Sequence, residues 1–137
     1  METRRKFRVA VGSLGCKLNQ AEAESLAREF VGAGYQLVSP ADKADIYVLN
    51  TCTVTHIADR KSRHWLRLAH RRNPDALLVA TGCYAERAPR ELARLEGVSF
   101  VLGNDEKREL VRLVSGRMSA LTRSPGDAMS YHYDSFR

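Results

Sequence analysis

The strongest constraint on this chain is the placement of its three cysteines, each of which follows an apolar run where that run gives way to a turn. Cys16 comes after the run over 7–11 by way of Gly12-Ser13-Leu14-Gly15. Cys52 comes after 46–49 by way of Asn50-Thr51, and Cys83 after 76–80 by way of Thr81-Gly82. The junctions recur about every 30 residues, the length of one βα unit. A chain built on that repeat carries equivalent junctions to one edge of a sheet.

The rest of the pattern agrees with such a repeat. Short β-branched or apolar runs predict strands over 7–11, 35–38, 44–50, 76–80 and 98–102. Between them, helical spacing appears after Asn19, read as a cap with Glu22 three residues on; Ala23, Leu26, Ala27, Phe30 and Val31 continue it to Gly32 or Gly34. A second helix runs from a cap at Thr53 or Thr55 to Arg72, where Asn73-Pro74 stops it. A third opens at Pro89 and reaches Leu95 before Gly97, and a last one, capped by Gly103-Asn104-Asp105, ends at Gly116. Strands that alternate with helices through short loops predict an α/β fold: a flavodoxin-like or Rossmann-like three-layer domain, with a five-stranded parallel sheet in the order 2-1-3-4-5. The domain is expected over 1–116. Residues 117–137 lose periodicity, contain the turn Ser124-Pro125-Gly126-Asp127, and read as a linker or tail.

In that strand order, strands one, three and four are neighbours, so Cys16, Cys52 and Cys83 converge on the rim where such sheets bind ligands. The amino terminus lacks an apolar signal core, and no apolar run approaches the roughly 20 residues that span a bilayer. A cytoplasmic location with reduced thiols is therefore expected, and three cysteines cannot all pair as disulfides. Soft sulfur ligands suit zinc, with His56 or His64 as a fourth ligand, or an iron–sulfur cluster with one iron left open. Three buried cysteines serving as small apolar residues are the bland alternative. A further alternative is a flavodoxin-like nucleotide- or flavin-binding module, with Gly12-Ser13-Leu14-Gly15 near a phosphate, although the full dinucleotide fingerprint is missing.

With 22 Lys and Arg against 16 Asp and Glu, the formal charge is +6, which favours an anionic partner. A projection of the second helix gathers Arg60, Arg63, Arg67 and Arg71 into one stripe, either a phosphate-binding ridge or an ordinary solvated face. Asn19 and Asn50 stand beside the expected rim and are candidates for orienting its loops. His56, His64 and His70 fit surface or packing roles better than ligation. Trp65 and Tyr84 read as packing groups, and Asp45 has no evident catalytic partner.

Taken together, Leu14-Gly15-Cys16-Lys17-Leu18-Asn19, Asn50-Thr51-Cys52-Thr53-Val54-Thr55 with Asp59-Arg60-Lys61-Ser62-Arg63, and Thr81-Gly82-Cys83-Tyr84-Ala85 resemble the N-terminal domain of the radical-SAM methylthiotransferases. The wording is most similar to the branch that adds a methylthio group to N6-threonylcarbamoyladenosine next to the tRNA anticodon. The resemblance implies that Cys16, Cys52 and Cys83 hold an auxiliary 4Fe-4S cluster whose open iron carries the sulfur or methylthio group, and that tRNA is the partner. It also implies a second 4Fe-4S cluster and S-adenosylmethionine in a radical-SAM domain, followed by a small RNA-binding domain. No Cys-x-x-x-Cys-x-x-Cys motif occurs here, so the expectation is a domain of a larger enzyme, inactive alone.

Overall fold

The computed structural model describes residues 7–14, 17–51 and 56–121, without the side chains of 17–19, 56–57 and 120–121. Cys16, Cys52, Thr53, Thr55 and the tail over 122–137 lie outside the described residues. The elements are β1 (Arg8–Ser13), α1 (Lys17–Gly32), β2 (Gln36–Leu37), β3 (Ile46–Thr51), α2 (His56–Arg72), β4 (Leu77–Gly82), α3 (Cys83–Arg87), α4 (Pro89–Ala93), β5 (Val98–Leu102), a 3₁₀ segment (Asn104–Glu109) and α5 (Leu110–Leu121). All strand pairs are parallel, and the sheet order is β2-β1-β3-β4-β5, as expected from the alternation of strand and helix.

Burial explains why the central strands are apolar without alternation. Every residue of β3 and β4 is buried, because helices cover both faces of a parallel sheet. On one face Val9, Ile46, Val48, Leu77, Val79, Phe100 and Leu102 pack with Leu26 and Phe30 of α1 and with Leu110, Val114 and Met118 of α5. The intervening residues turn the other way. Leu49, Ala80 and Val101 meet Leu66, Tyr84 and Leu92, while Ala10, Tyr47 and Leu78 meet Ala69. Successive strand side chains point to opposite faces, and this alternation governs the site described next.

The structure departs from the sequence-based boundaries at three helices. Helix α1 begins at Lys17, so Asn19 is its third residue and not its cap. The backbone between Gly82 and Pro89 forms a five-residue helix, α3, that sequence periodicity did not reveal, and α4 stops at Ala93. Helix α5 passes through Gly116 to Leu121. Gly116 is exposed there, and the buried spacing Leu110, Val114, Met118 holds the helix across it. Among the described residues no helix is long and apolar enough to cross a membrane.

Candidate functional site

The parallel register fixes where the cysteine-bearing junctions begin. Ser13 is the partner of Asn50, and Thr51 is the partner of Gly82. Cys52 follows Thr51 directly and Cys83 follows Gly82 directly, so these two cysteines leave from paired positions on adjacent strands, which lie roughly 4.8 Å apart. Strand β1, which precedes Cys16 in the chain, ends beside them, with Ser13 opposite Asn50. Of the three, only Cys83 falls within the described residues; it opens α3 and is exposed. No group of three or more metal-capable side chains occurs among the described residues, a set that does not contain Cys16 or Cys52.

Glycine at 82 is required by its surroundings. Its φ is +99°, and a Cβ there would lie 2.3 Å from the Thr51 carbonyl oxygen, 2.7 Å from the Thr51 nitrogen and 2.9 Å from Asn50 Oδ1. The junction of β4 with α3 thus closes against the end of β3 at a distance that only glycine permits. Gly12 has a different reason. A Cβ at that position would meet the Trp65 ring at 2.5 Å, so its lack of a side chain serves the packing of α2 on β1.

Two consecutive residues at the end of β3 then reach in opposite directions. The fully buried Asn50 donates from Nδ2 to Glu22 Oε1 of α1 at 3.3 Å, and Lys107 Nζ of the 3₁₀ segment donates to the same oxygen at 2.8 Å. The hydrogen bond from the Lys107 ammonium holds the Glu22 carboxyl below its ordinary range, against a weaker opposing effect of burial and with help from Asn50. Thr51 faces the other layer. Its hydroxyl donates to the Thr81 carbonyl at 2.6 Å and accepts from the Tyr84 backbone N–H at 3.1 Å, one residue beyond Cys83. Thr81 Oγ1, on the same rim, is buried without a hydrogen-bond partner.

Helix α2 is tied to α3 and α4 by charge. Arg63 Nη1 donates to the Tyr84 hydroxyl at 2.8 Å and to Glu91 Oε2 at 3.1 Å, and Arg87 Nη2 donates to the buried Asp59 at 2.5 Å. Burial pushes the Tyr84 hydroxyl up from its ordinary pKa, and its bond to Arg63 opposes that shift. Arg63 is therefore turned inward from the predicted ridge, whereas Arg60, Arg67 and Arg71 are exposed and their side chains make no ion pair or hydrogen bond among the described residues. His64 is exposed and His70 half-buried, 3.8 Å from Glu96. Asp45 accepts from the Arg8 backbone N–H at 2.8 Å, a bond between strand starts.

Sequence patterning assigns no individual role to Thr51 or Lys107 and places Glu22 in a helix cap. The signal for Thr51 was its place in the Asn50-Thr51-Cys52 junction. No local pattern pointed to Glu22 and Lys107, which are 85 residues apart. A cleft of about 540 Å³ lies farther along the rim among Ala85, Pro89, Arg90, Val101 and Glu106, and none of the candidate residues lines it.

Comparison with known proteins agrees with the cysteine-junction motifs. The chain is 50% identical over 108 residues to the threonylcarbamoyladenosine tRNA methylthiotransferase MtaB of Aquifex aeolicus, covering 79% of this chain and 26% of that protein. It is 43% identical over 103 residues to the protein of the same name from Bacillus subtilis, covering 75% of this chain and 23% of the relative. A ribosomal protein uS12 methylthiotransferase RimO of Roseiflexus castenholzii is 32% identical over 125 residues, 90% of this chain and 26% of that protein. The chain thus spans about a quarter of the length of the curated relatives it matches. Residues 8–103 match the family described as "Uncharacterized protein family UPF0004", and with most of its length inside that match the chain belongs to this family.

Proposed function

We propose that this chain is the N-terminal iron–sulfur domain of a tRNA methylthiotransferase acting on N6-threonylcarbamoyladenosine, with Cys16, Cys52 and Cys83 as the ligands of a 4Fe-4S cluster. The observation that carries the reading is the pairing of Thr51 with Gly82 and of Ser13 with Asn50, which brings the carboxyl ends of the three strands that precede the cysteines side by side. Two features of the rim fit such a group. Glycine at 82 lets the Cys83 turn press against the end of β3, and Cys83 itself is open to a ligand. Three thiolates at close range repel one another, and a cationic iron cluster offsets that repulsion.

A cluster with three cysteine ligands leaves one iron without a protein ligand, at which sulfur for the methylthio group is supplied. This chain's own residues hold and orient. Thr51 and Asn50 fix the strand end that precedes Cys52, and the exposed Arg60, Arg67 and Arg71 of α2 neutralise tRNA phosphates, a contact that positions without reading sequence. All three cysteines serve this one cluster, so the second cluster and S-adenosylmethionine belong to further polypeptide of the kind that makes the relatives about four times longer. A cytoplasmic setting suits both the tRNA substrate and the reduced thiols.

The test is iron and sulfide content after anaerobic reconstitution, beside Cys16→Ser, Cys52→Ser and Cys83→Ser variants. About four irons per chain, lost in each variant, is expected; zinc without iron, or iron indifferent to all three substitutions, would reject the assignment. For the ridge, Arg60→Glu with Arg67→Glu is expected to weaken tRNA binding about tenfold or more at low salt, and unchanged retention on a filter would reject it.

A further inference from the structure

We propose that Thr51, Glu22 and Lys107 are positioning residues that hold the three cysteine-bearing segments in register before any metal group arrives. The inference rests on the iron–sulfur reading above and assigns roles that the cysteines alone do not explain. Its basis is the division of labour at the end of β3. Asn50 projects toward the α1 and α5 layer and Thr51 toward the α2, α3 and α4 layer, since neighbouring strand residues alternate in direction. Through Asn50 the strand end is joined to Glu22, in the second turn of the helix that begins immediately after Cys16, and Lys107 braces that carboxylate from the segment following β5. Through Thr51 it is joined to both sides of the Cys83 junction, the Thr81 carbonyl before it and the Tyr84 N–H after it.

The geometry spans every segment in question. One dipeptide contacts the helix after Cys16, precedes Cys52, and brackets Cys83. Lys107 is well placed for this work, because its side chain is only 16% exposed and its ammonium closes on Glu22 at 2.8 Å. A lysine used merely for solubility would extend into water. Partners that orient metal-binding segments typically change metal affinity by about 10- to 100-fold when lost.

The experiment compares the anaerobically reconstituted chain with Thr51→Val, Thr51→Ser, Glu22→Gln and Lys107→Met, and follows iron transfer to a chelator at a temperature far below unfolding. Thermal unfolding of each apo form is recorded in parallel. Thr51→Val keeps the shape and removes the hydroxyl, so iron release about tenfold faster is expected, with Thr51→Ser restoring the wild-type rate. Glu22→Gln and Lys107→Met are expected to accelerate release by similar factors to each other, because they break the same pair. A purely structural role would lower the unfolding temperature and leave release from the folded protein unchanged, and that outcome overturns the inference. A wild-type chain that loads no iron overturns the proposed function and this inference with it. A wild type that loads, while all four variants release iron at the wild-type rate, overturns the inference alone.

Discussion

The two ends of the sheet both use buried polar side chains, and they use them for different purposes. At the amino-terminal end each bond ties a side chain to the backbone of a strand start or of the loop that leads into one. Asn73 Nδ2 donates to the Ala44 carbonyl at 2.8 Å, Tyr47 donates its hydroxyl to the Asp42 carbonyl at 2.6 Å while accepting from the Ala44 N–H, and Asp45 accepts from the Arg8 N–H. At the carboxyl end the corresponding bonds join separate segments, α1 to β3 to the 3₁₀ segment and β3 to the β4–α3 turn. That end also keeps an exposed thiol and a buried hydroxyl without a partner. The amino-terminal bonds fix where strands begin, and the carboxyl-terminal ones surround the junctions that carry the cysteines.

The contrast can be broken most forcefully at Gly82. Replacing it with alanine demands a left-handed backbone from a residue with a Cβ and drives that carbon into the Thr51 backbone, at a cost of about 3 kcal/mol or more in unfolding free energy. A urea titration showing less than about 1 kcal/mol of loss would mean that the turn relaxes freely. At the opposite end, Asn73→Ala removes the bonds to the Ala44 carbonyl and to the Asp75 N–H. It is expected to cost about 1–3 kcal/mol while leaving iron uptake unchanged. Parallel loss of iron would erase the distinction between the ends.

A smaller effect separates the two hydroxyls of the rim. Thr81→Val deletes a buried group that has no partner, so apo stability is expected to stay within about 1 kcal/mol of wild type or to rise. A clear destabilisation by denaturant titration would show that the hydroxyl is satisfied in solution. The smallest effect is that of acid on Glu22. Its carboxyl titrates below its ordinary value of 4.5 in the folded chain, so the pair with Lys107 contributes fully above that unfolded value and is lost as the pH falls through the lowered folded one. Because the Glu22 side chain is 45% exposed, solvent screening keeps this contribution under about 1 kcal/mol. The difference in stability between wild type and Glu22→Gln is expected to vanish below that window and to be constant above it, as read from denaturant midpoints across pH.

The fold was legible in the sequence to the extent that periodicity carries it. The near-continuous apolar run over 46–49 points to a strand covered on both faces, and the alternation of strands with helix-length intervals points to a parallel sheet. The five-residue α3 was hidden because a single helical turn carries no period, and its start depends on Gly82 adopting a conformation that sequence presents only as "glycine". Asn19 misled for a related reason: Asn followed by a glutamate three residues on looks like a cap, yet Glu22 is held by Asn50 and Lys107 across the fold. The inward turn of Arg63 was equally invisible, since a helical projection shows which residues share a stripe and not that Tyr84 and Glu91 wait beside one of them.

The alternating pleat of β3 makes the tripeptide Asn50-Thr51-Cys52 indivisible. Deleting or inserting a single residue anywhere within 46–49 would exchange the layers that the amide and the hydroxyl address, leaving each opposite the wrong helix while the cysteine slid one place along the edge. Unless a bulge absorbs the change, the length of this strand is therefore tied to which layer each of the two side chains reaches.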